Sequence, residues 1–512
     1  MRAEPADPRP TSPEPVSADQ RPNIILICVD QMRGDTMSSA GHPVVQTPNL
    51  DELVATGTAF SSAYSATPTC VPARVALFTG QSQERHGRYG YREGVRFQEA
   101  HPVTLQGTLR EAGYQTQAIG KMHVWPERAR CGFDNVLLHD GFLHFARGRH
   151  PRHEDNDDYL TWLRRQPGLA AADIDDHGVG CNDVVGRPFD KDERVHPSTW
   201  AMTEAVDFLK RRDPTSPFFL YLSFHRPHGP FDPPQWAWDL YRDADVAEPS
   251  VGDWEDELPG RRDHRIRAQF GRRSRAVREQ VLRGYWGNIT HIDLQLNRLH
   301  ETLTARGLAH NTVICFVSDH GDMMGDHHLY QKAVGYEGSA RVPFVVQVPG
   351  GHGAAAGRWR DEVVELRDLA PTLLDLAGVD IPDEMDGRSL VPLLAGAEPQ
   401  DWRDHLHGEH VINHFGLVEQ MHWVTDGSSK FCWFSGSGRE QFFDLVDDPG
   451  ECHDLVDHPG RLAEVDAWRA RLVADLSGRE EGFVRLTDDG APELVPGRPI
   501  SSCASWVPSA AH

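Results

Sequence analysis

The sequence predicts a doubly wound α/β fold followed by a smaller C-terminal α+β domain. Three observations predict it. Apolar runs of strand length recur along the chain and alternate with helical patterns. Polar residues fall just after those runs, where open α/β sheets bind their ligands. After about residue 395 the pattern turns to short alternating segments divided by turns, as in "MHWVTDGSSKFCWFSG" and "REQFFDLVDDPGE". The expected boundaries are a tail over 1–20, a catalytic α/β domain over 21–395 and an α+β domain over 396–512.

The first 20 residues are rich in proline and acid and read as a disordered tail. "RPNIILICVDQ" then supplies a near-continuous apolar run, Ile24 to Val29, suited to a strand covered on both faces and ending in Asp30. "TPNLDELVATG" has Thr47 to cap a helix, Pro48 at its first position and Gly57 to stop it. In "PTCVPARVALFTG", Pro72 fits an early helical position, the run from Val75 to Phe78 is apolar and Gly80 is a stop. That puts Cys70 at the positive end of a helix, with Arg74 four residues on and able to lean back toward it. Such a place suits a nucleophile or an anion; the competing reading is a buried cysteine beside a solvated arginine.

"TLQGTLREAGYQTQAIGKMH" reads as helix, turn, strand and loop. "WAMTEAVDFLKRR" is a helix, and "PFFLYLSFHRPHGP" a strand ending in a histidine-bearing loop. A long helical period covers 278–303. "NTVICFVSDHGD" and "RVPFVVQVPG" are further buried strands, and "LRDLAPTLLDLAG" is a helix. Residues 135–200 and 242–275 lack a clear period and read as loop-rich insertions. The second holds "GRRDHRIRAQFGRRSR", either a solvated basic face or a lip over an anionic substrate.

The totals narrow the function classes. A chain of 512 residues, 39% hydrophobic and 25% charged, is a soluble globular type too long for one ordinary core. A net charge of −24 speaks against nucleic acid, yet leaves room for a local basic pocket holding a small anion. The eight cysteines form no CxxC pair, which disfavours a zinc ribbon or a disulfide scaffold; Cys28 and Cys315 sit in apolar runs as core residues. The N-terminus has no apolar signal region and no window reaches transmembrane length, so a cytoplasmic protein without a membrane partner is expected.

Cys70-Val71-Pro72-Ala73-Arg74 resembles the C-x-P-x-R signature of the type I sulfatases, within the alkaline phosphatase superfamily. "VDQMRGD", "TPNLDELVATGTAF", "GKMH", "SFHRPHGPF", "SDHGDMMGDH" and "YEGSARVPF" resemble the family's other blocks, in order, over about residues 21–395. "REQFFDLVDDPGECHDL" resembles its closing strand motif. The resemblance is closest in flavour to bacterial arylsulfatases, with an echo of choline sulfatases. It implies a mixed sheet sandwiched by helices, alkaline phosphatase-like. It also implies that Cys70 is oxidised to formylglycine by a formylglycine-generating enzyme, and that organic sulfate monoesters, small-molecule or saccharide, are hydrolysed.

The resemblance further implies roles. Asp30, Gln31, Asp319 and His320, with the residue at Cys70, would hold one divalent cation, usually calcium. A histidine at 320 leaves room for manganese or zinc. Lys121 and Lys332 would bind the sulfuryl oxygens, and Arg74 would hold the formylglycine. One hydroxyl of the hydrated aldehyde would attack sulfur and His228 would protonate the leaving alcohol; His123 would help deprotonate the second hydroxyl, so that sulfate is expelled. His225 competes with His228, and the P-H-x-P unit favours the latter. Two departures stand out. Thr79-Gly80-Gln81 replaces the usual T-G-R element, and Gln31 replaces a frequent aspartate, as it also does in some sulfatases and in related phosphonate monoester hydrolases. A phosphonate or phosphate ester hydrolase is therefore the first alternative, and a silent binder of sulfated ligands the second. Glu409, His410 and His414 in "LHGEHVINH" either line the substrate pocket or form a polar surface turn. The oligomeric state is open, a homo-oligomer included.

Overall fold

The computed structural model describes residues 21–90, 95–141, 156–174, 176–255, 268–350, 356–412 and 419–497. The N-terminal tail, His414 and residues 260–267 of the basic stretch lie outside that set.

Among the described residues, three sheets carry the architecture. Their strands are β1 (Asn23–Asp30), β2 (Thr58–Phe60), β3 (Ala63–Tyr64), β4 (Gln115–Gly120), β5 (Asn135–Leu138), β6 (Phe218–Pro227) and β7 (Thr312–Ser318), then β8 (Phe344–Gln347), β9 (Arg358–Arg360), β10 (Val364–Glu365), β11 (Leu406–Ile412), β12 (Glu419–Thr425), β13 (Ser429–Phe434) and β14 (Glu440–Asp444). The principal helices are α1 (Pro48–Thr56), α2 (Cys70–Thr79), α3 (Gln83–His86), α4 (Pro197–Arg211), α5 (Arg275–Ala305), α6 (Leu369–Leu376) and α7 (Leu462–Leu476).

The main sheet runs β5-β4-β6-β1-β7-β8-β2-β9. It is mixed: β5, β4, β6, β1 and β7 are parallel, β8 is antiparallel to both β7 and β2, and β9 runs with β2. The strand period of two sorts the side chains of β1 between two cores. Ile25, Ile27 and Val29 pack toward α1, α4 and α5. Ile24, Leu26 and Cys28 pack toward α2 and α6. Helices on both faces explain why β1 and β7 read as unbroken apolar runs. Because β1, β4, β6 and β7 are parallel, their carboxyl ends share one edge of the sheet. Asp30, Lys121, His228 and Asp319 are therefore delivered to one place.

The C-terminal domain is the antiparallel sheet β11-β12-β13-β14. One face packs on α7 through Phe431, Trp433, Val465 and Trp468. The other, with Met421, Trp423 and Phe434, packs on Met323, Leu329, Val334 and Tyr336 in the loops that follow Asp319.

Two sequence expectations are corrected here. The stretch taken as loop-rich from residue 135 begins with β5, an edge strand too short to show a period, and ends in the first turn of α4. "LHGEHVI" is not a surface turn; it is strand β11, with Glu409 and His410 buried. Its polar residues hid it, because each is satisfied by a buried partner that a linear reading does not reveal.

Candidate active site

Helix α2 begins at Cys70 itself and ends at Gly80, whose φ of 62° closes it in the left-handed region. The Cys70 Sγ lies 3.2 Å from His320 Nε2, 3.4 Å from Lys332 Nζ and 3.7 Å from Asp30 Oδ1. Burial and Asp30 push the thiol up, but Lys121, Lys332 and His320 outweigh them and hold it at about 6.

Asp30 and Asp319 are fully buried at the ends of β1 and β7. Lys121 pairs with Asp30. Burial opposes the ionised Asp30, yet Lys121, His228, Lys332 and His320 hold it well below the usual carboxylate range. Asp319 is pushed up by burial and by the charge of Asp30. Gln31 adopts φ 71°, a costly conformation for a residue with a Cβ. It is held there from both sides: its N–H donates to Asp319 Oδ1 at 3.1 Å and its carbonyl accepts from Tyr285 at 2.9 Å. Its side chain donates to Asp322 at 2.5 Å and accepts from Lys332 at 2.6 Å. His320 Nδ1 sits 2.9 Å from the Gly321 carbonyl, so its proton goes there and Nε2 faces Cys70 and the two carboxylates.

The donor atoms of Asp30, Cys70, Asp319 and His320 lie within 4.8 Å of one another. Two buried carboxylates at such range repel, and a divalent cation between them relieves that repulsion. The donor set fits one, with Gln31 Oε1 adjacent as a further oxygen.

Arg74 does not lean toward Cys70. Its Nε donates to Asp319 Oδ2 at 3.0 Å, and Nη1 donates to Tyr221, Ser223 and the Lys121 carbonyl at 2.6, 2.8 and 2.9 Å. An ionised carboxylate and three oxygens match the guanidinium fork better than a single sulfur does.

His123 takes φ 53°, with its N–H on Asp140 Oδ1 at 2.9 Å. Burial, helped by Lys121, pushes its imidazole down to about 3. His228 is lowered by burial and Lys332. Its N–H donates to the Asp30 carbonyl at 3.0 Å, and its Nδ1 lies 3.0 Å from the Gly229 carbonyl. His225 stands behind His228, with ring centroids 4.9 Å apart, and takes a 2.6 Å contact from Arg226. A small cleft beside the site is lined in part by Gln31, Asn182, Asp183, His228, Tyr330 and Gln331.

Asp30, Gln31, Lys121, Asp319, His320 and Lys332 thus gather about Cys70, with His228 beside Asp30, while Arg74 serves Asp319 instead of Cys70. A family model described as Sulfatase matches residues 22–379. The chain belongs to the sulfatase family. A second model, N-sulphoglucosamine sulphohydrolase, C-terminal, matches residues 325–476 of this sulfatase. An arylsulfatase of Clostridium perfringens is 44% identical over 490 residues, covering 94% of this chain and 99% of that protein. A choline-sulfatase of Rhizobium meliloti is 30% identical, covering 86% and 83%. Among solved structures, a phosphonate monoester hydrolase of Agrobacterium radiobacter superposes with a TM-score of 0.72 at 26% identity, covering 93% of this chain and 99% of that one. The sulfatase hydrolyses sulfate esters.

Sequence reading missed the residues that brace this sulfatase's site. Asp322 aims Gln31, Asp140 holds the backbone of Met122 and His123, and Tyr221 and Ser223 fix Arg74. Asp322 lay inside a quoted block; Tyr221 and Ser223 lay in a strand that read as apolar. His410 reaches Thr69, the residue before Cys70, at 2.8 Å. Glu409, its neighbour on the strand, points to the opposite side and does not line this site.

Proposed function

We propose that this sulfatase acts on aryl and related small-molecule or saccharide sulfate esters through a formylglycine made from Cys70, with one divalent cation, calcium by resemblance, held by Asp30, Gln31, Asp319 and His320. The observation that carries the reading is the position of Cys70: a buried helix N-terminus, with Lys332, His320 and Asp30 all within 3.7 Å of its sulfur. The cation would neutralise charge on the reacting group, and the formylglycine would supply an oxygen nucleophile and an aldehyde exit for sulfate.

The chain's own residues do the rest. Lys121 and Lys332 bring two cations to the sulfuryl oxygens. Arg74 works at one remove, by fixing Asp319. His123 is held neutral by burial and would accept a proton only as charge develops beside it. His228 would donate one to the departing alcohol from Nε2. Burial, and after it Lys332, lowers its pKa, and an arriving sulfate anion would offset the Lys332 part of that shift.

The test is mass spectrometry of the tryptic peptide from Gly34 to Arg74, which contains Cys70 and no internal lysine or arginine, from a host that makes formylglycine. Thiol-to-aldehyde mass loss, with turnover of an aryl sulfate that exceeds turnover of an aryl phosphonate, is the expected result. An intact thiol in a fully active enzyme would sink the reading. Faster phosphonate turnover would favour the hydrolase of phosphorus esters, whose solved relative shares the fold.

A further inference from the structure

A second group of ligand-type side chains lies on the far side of β11 from the active centre. Residues alternate along a strand, so His407 and Glu409 share one face while His410 takes the other, toward Thr69. His422 on β12 is the direct antiparallel partner of Glu409. The pairing therefore brings His407, Glu409 and His422 to one point, with their donor atoms within 4.8 Å of one another.

The distances carry the argument. His407 Nε2 lies 3.3 Å from His422 Nδ1, and His422 Nδ1 lies 3.5 Å from Glu409 Oε2. The first is a long ring-to-ring hydrogen-bond distance and the second exceeds an ordinary N–H···O contact. His407 Nδ1 is 2.9 Å from Glu84 Oε1 and gives its proton there; when the ring is neutral its Nε2 faces the group with a lone pair, and when it is charged Nε2–H points at His422 and a cation must displace that proton. A tetrahedral ion with arms of about 2.0–2.2 Å sets its ligands about 3.3–3.5 Å apart. The two spacings that meet at His422 Nδ1 match a tetrahedron's edges, and all three donor atoms lie within 4.8 Å.

The surroundings are those of a built site. Glu84 on α3 orients His407 as a carboxylate orients a metal-bound histidine. Arg479 holds Oε1 of Glu409 at 2.7 Å and Gln420 donates to Oε2, so Oε2 would ligate through its remaining lone pair while Gln420 fixes its direction. The side chains of Glu409 and His422 are fully buried, whereas that of His407 is 7% exposed and marks the way in. We infer that His407, Glu409 and His422 form a second metal site, separate from the catalytic cation, that takes a tetrahedral divalent transition ion such as zinc. Two imidazoles and one carboxylate oxygen are too few and too soft for calcium. All three ligands belong to the C-terminal sheet, and Glu84 on α3 ties the site to the helix that follows the nucleophile helix through His407.

Cobalt(II) titration of the chelator-stripped full chain tests this. The expected result is a tight equivalent with the intense visible absorption of tetrahedral cobalt that persists in Cys70→Ala and vanishes in His422→Gln. His407→Gln, at the partly exposed edge, should lose the same equivalent and serves if His422→Gln does not fold. Glu84→Gln should keep the stoichiometry and weaken binding about 10- to 100-fold. Unchanged cobalt stoichiometry and spectrum in folded His422→Gln or His407→Gln protein would overturn the inference. So would loss of all tetrahedral absorption in Cys70→Ala.

Discussion

Arg226 shows how much of the active centre rests on single buried charges. It lies between His225 and Pro227, and its Nε and Nη2 donate to Asp232 at 2.6 and 2.9 Å. Both side chains are buried, and His177 adds a third member at 3.3 Å. Burial alone would push the Asp232 carboxyl up, but Arg226 and His177 hold it at about 2. A depressed carboxylate contributes stability above its unfolded value and loses it as pH falls through the folded one. From 3.8 down to about 2, the contribution is about 2 kcal/mol. Asp232→Asn should cost about 3–5 kcal/mol at pH 7, because it strands Arg226. The gap between variant and parent should narrow between pH 4 and pH 2. Urea unfolding at a series of pH values checks it, and a gap independent of pH would remove Asp232 as its source.

At the scale of elements, Gly120 decides where Lys121 points. It ends β4 with φ 94°, and a Cβ there would stand 1.8 Å from the Ser223 carbonyl oxygen on β6. That same carbonyl accepts the Lys121 N–H at 3.1 Å. Gly113 has the same φ but open space around its missing Cβ. Gly113→Ala should therefore cost only the backbone term, about 1–3 kcal/mol, and keep activity. Gly120→Ala should cost more and lose most of kcat, since β4 and β6 must part and carry Lys121 off Asp30. Equal melting temperatures and equal rates for the two variants would refute the steric argument. The strand that ends here was legible as an element, since "YQTQAIG" leads from a turn into β4. The steric demand on Gly120 was not, because it comes from a strand about a hundred residues later.

On the scale of the whole molecule, the two domains meet over one buried cation. Lys430 on β13 donates at 2.8 Å each to Glu337, to Glu451 and to the Gly335 carbonyl. Glu337 and Gly335 lie just beyond Lys332, so the C-terminal sheet braces the loop that carries an active-site lysine. Lys430→Met would leave two carboxylates buried without their cation. It should destabilise the protein by about 3–5 kcal/mol and lower kcat/KM through a loosened Lys332, while leaving the Cys70 peptide chemistry unchanged. Denaturant unfolding together with kinetics checks both, and an unaltered kcat/KM in a destabilised protein would separate the junction from the site.

The sequence by itself determined the α/β class and placed Asp30, Asp319 and Cys70 at strand ends and a helix start; the roles expected of them came from the family resemblance. It could do so because these residues sit in local patterns: apolar runs ending in Asp30 or Asp319, and a helix start at Cys70 with its Pro72 and Arg74. Only the tertiary structure decided that Arg74 serves Asp319, that β11 is a buried strand rather than a turn, and that His407, Glu409 and His422 meet. Each of those depends on pairing between distant segments, such as Arg74 with Asp319 or Glu409 with His422. Linear spacing carries no record of such pairing, because it is set by how sheets and domains pack.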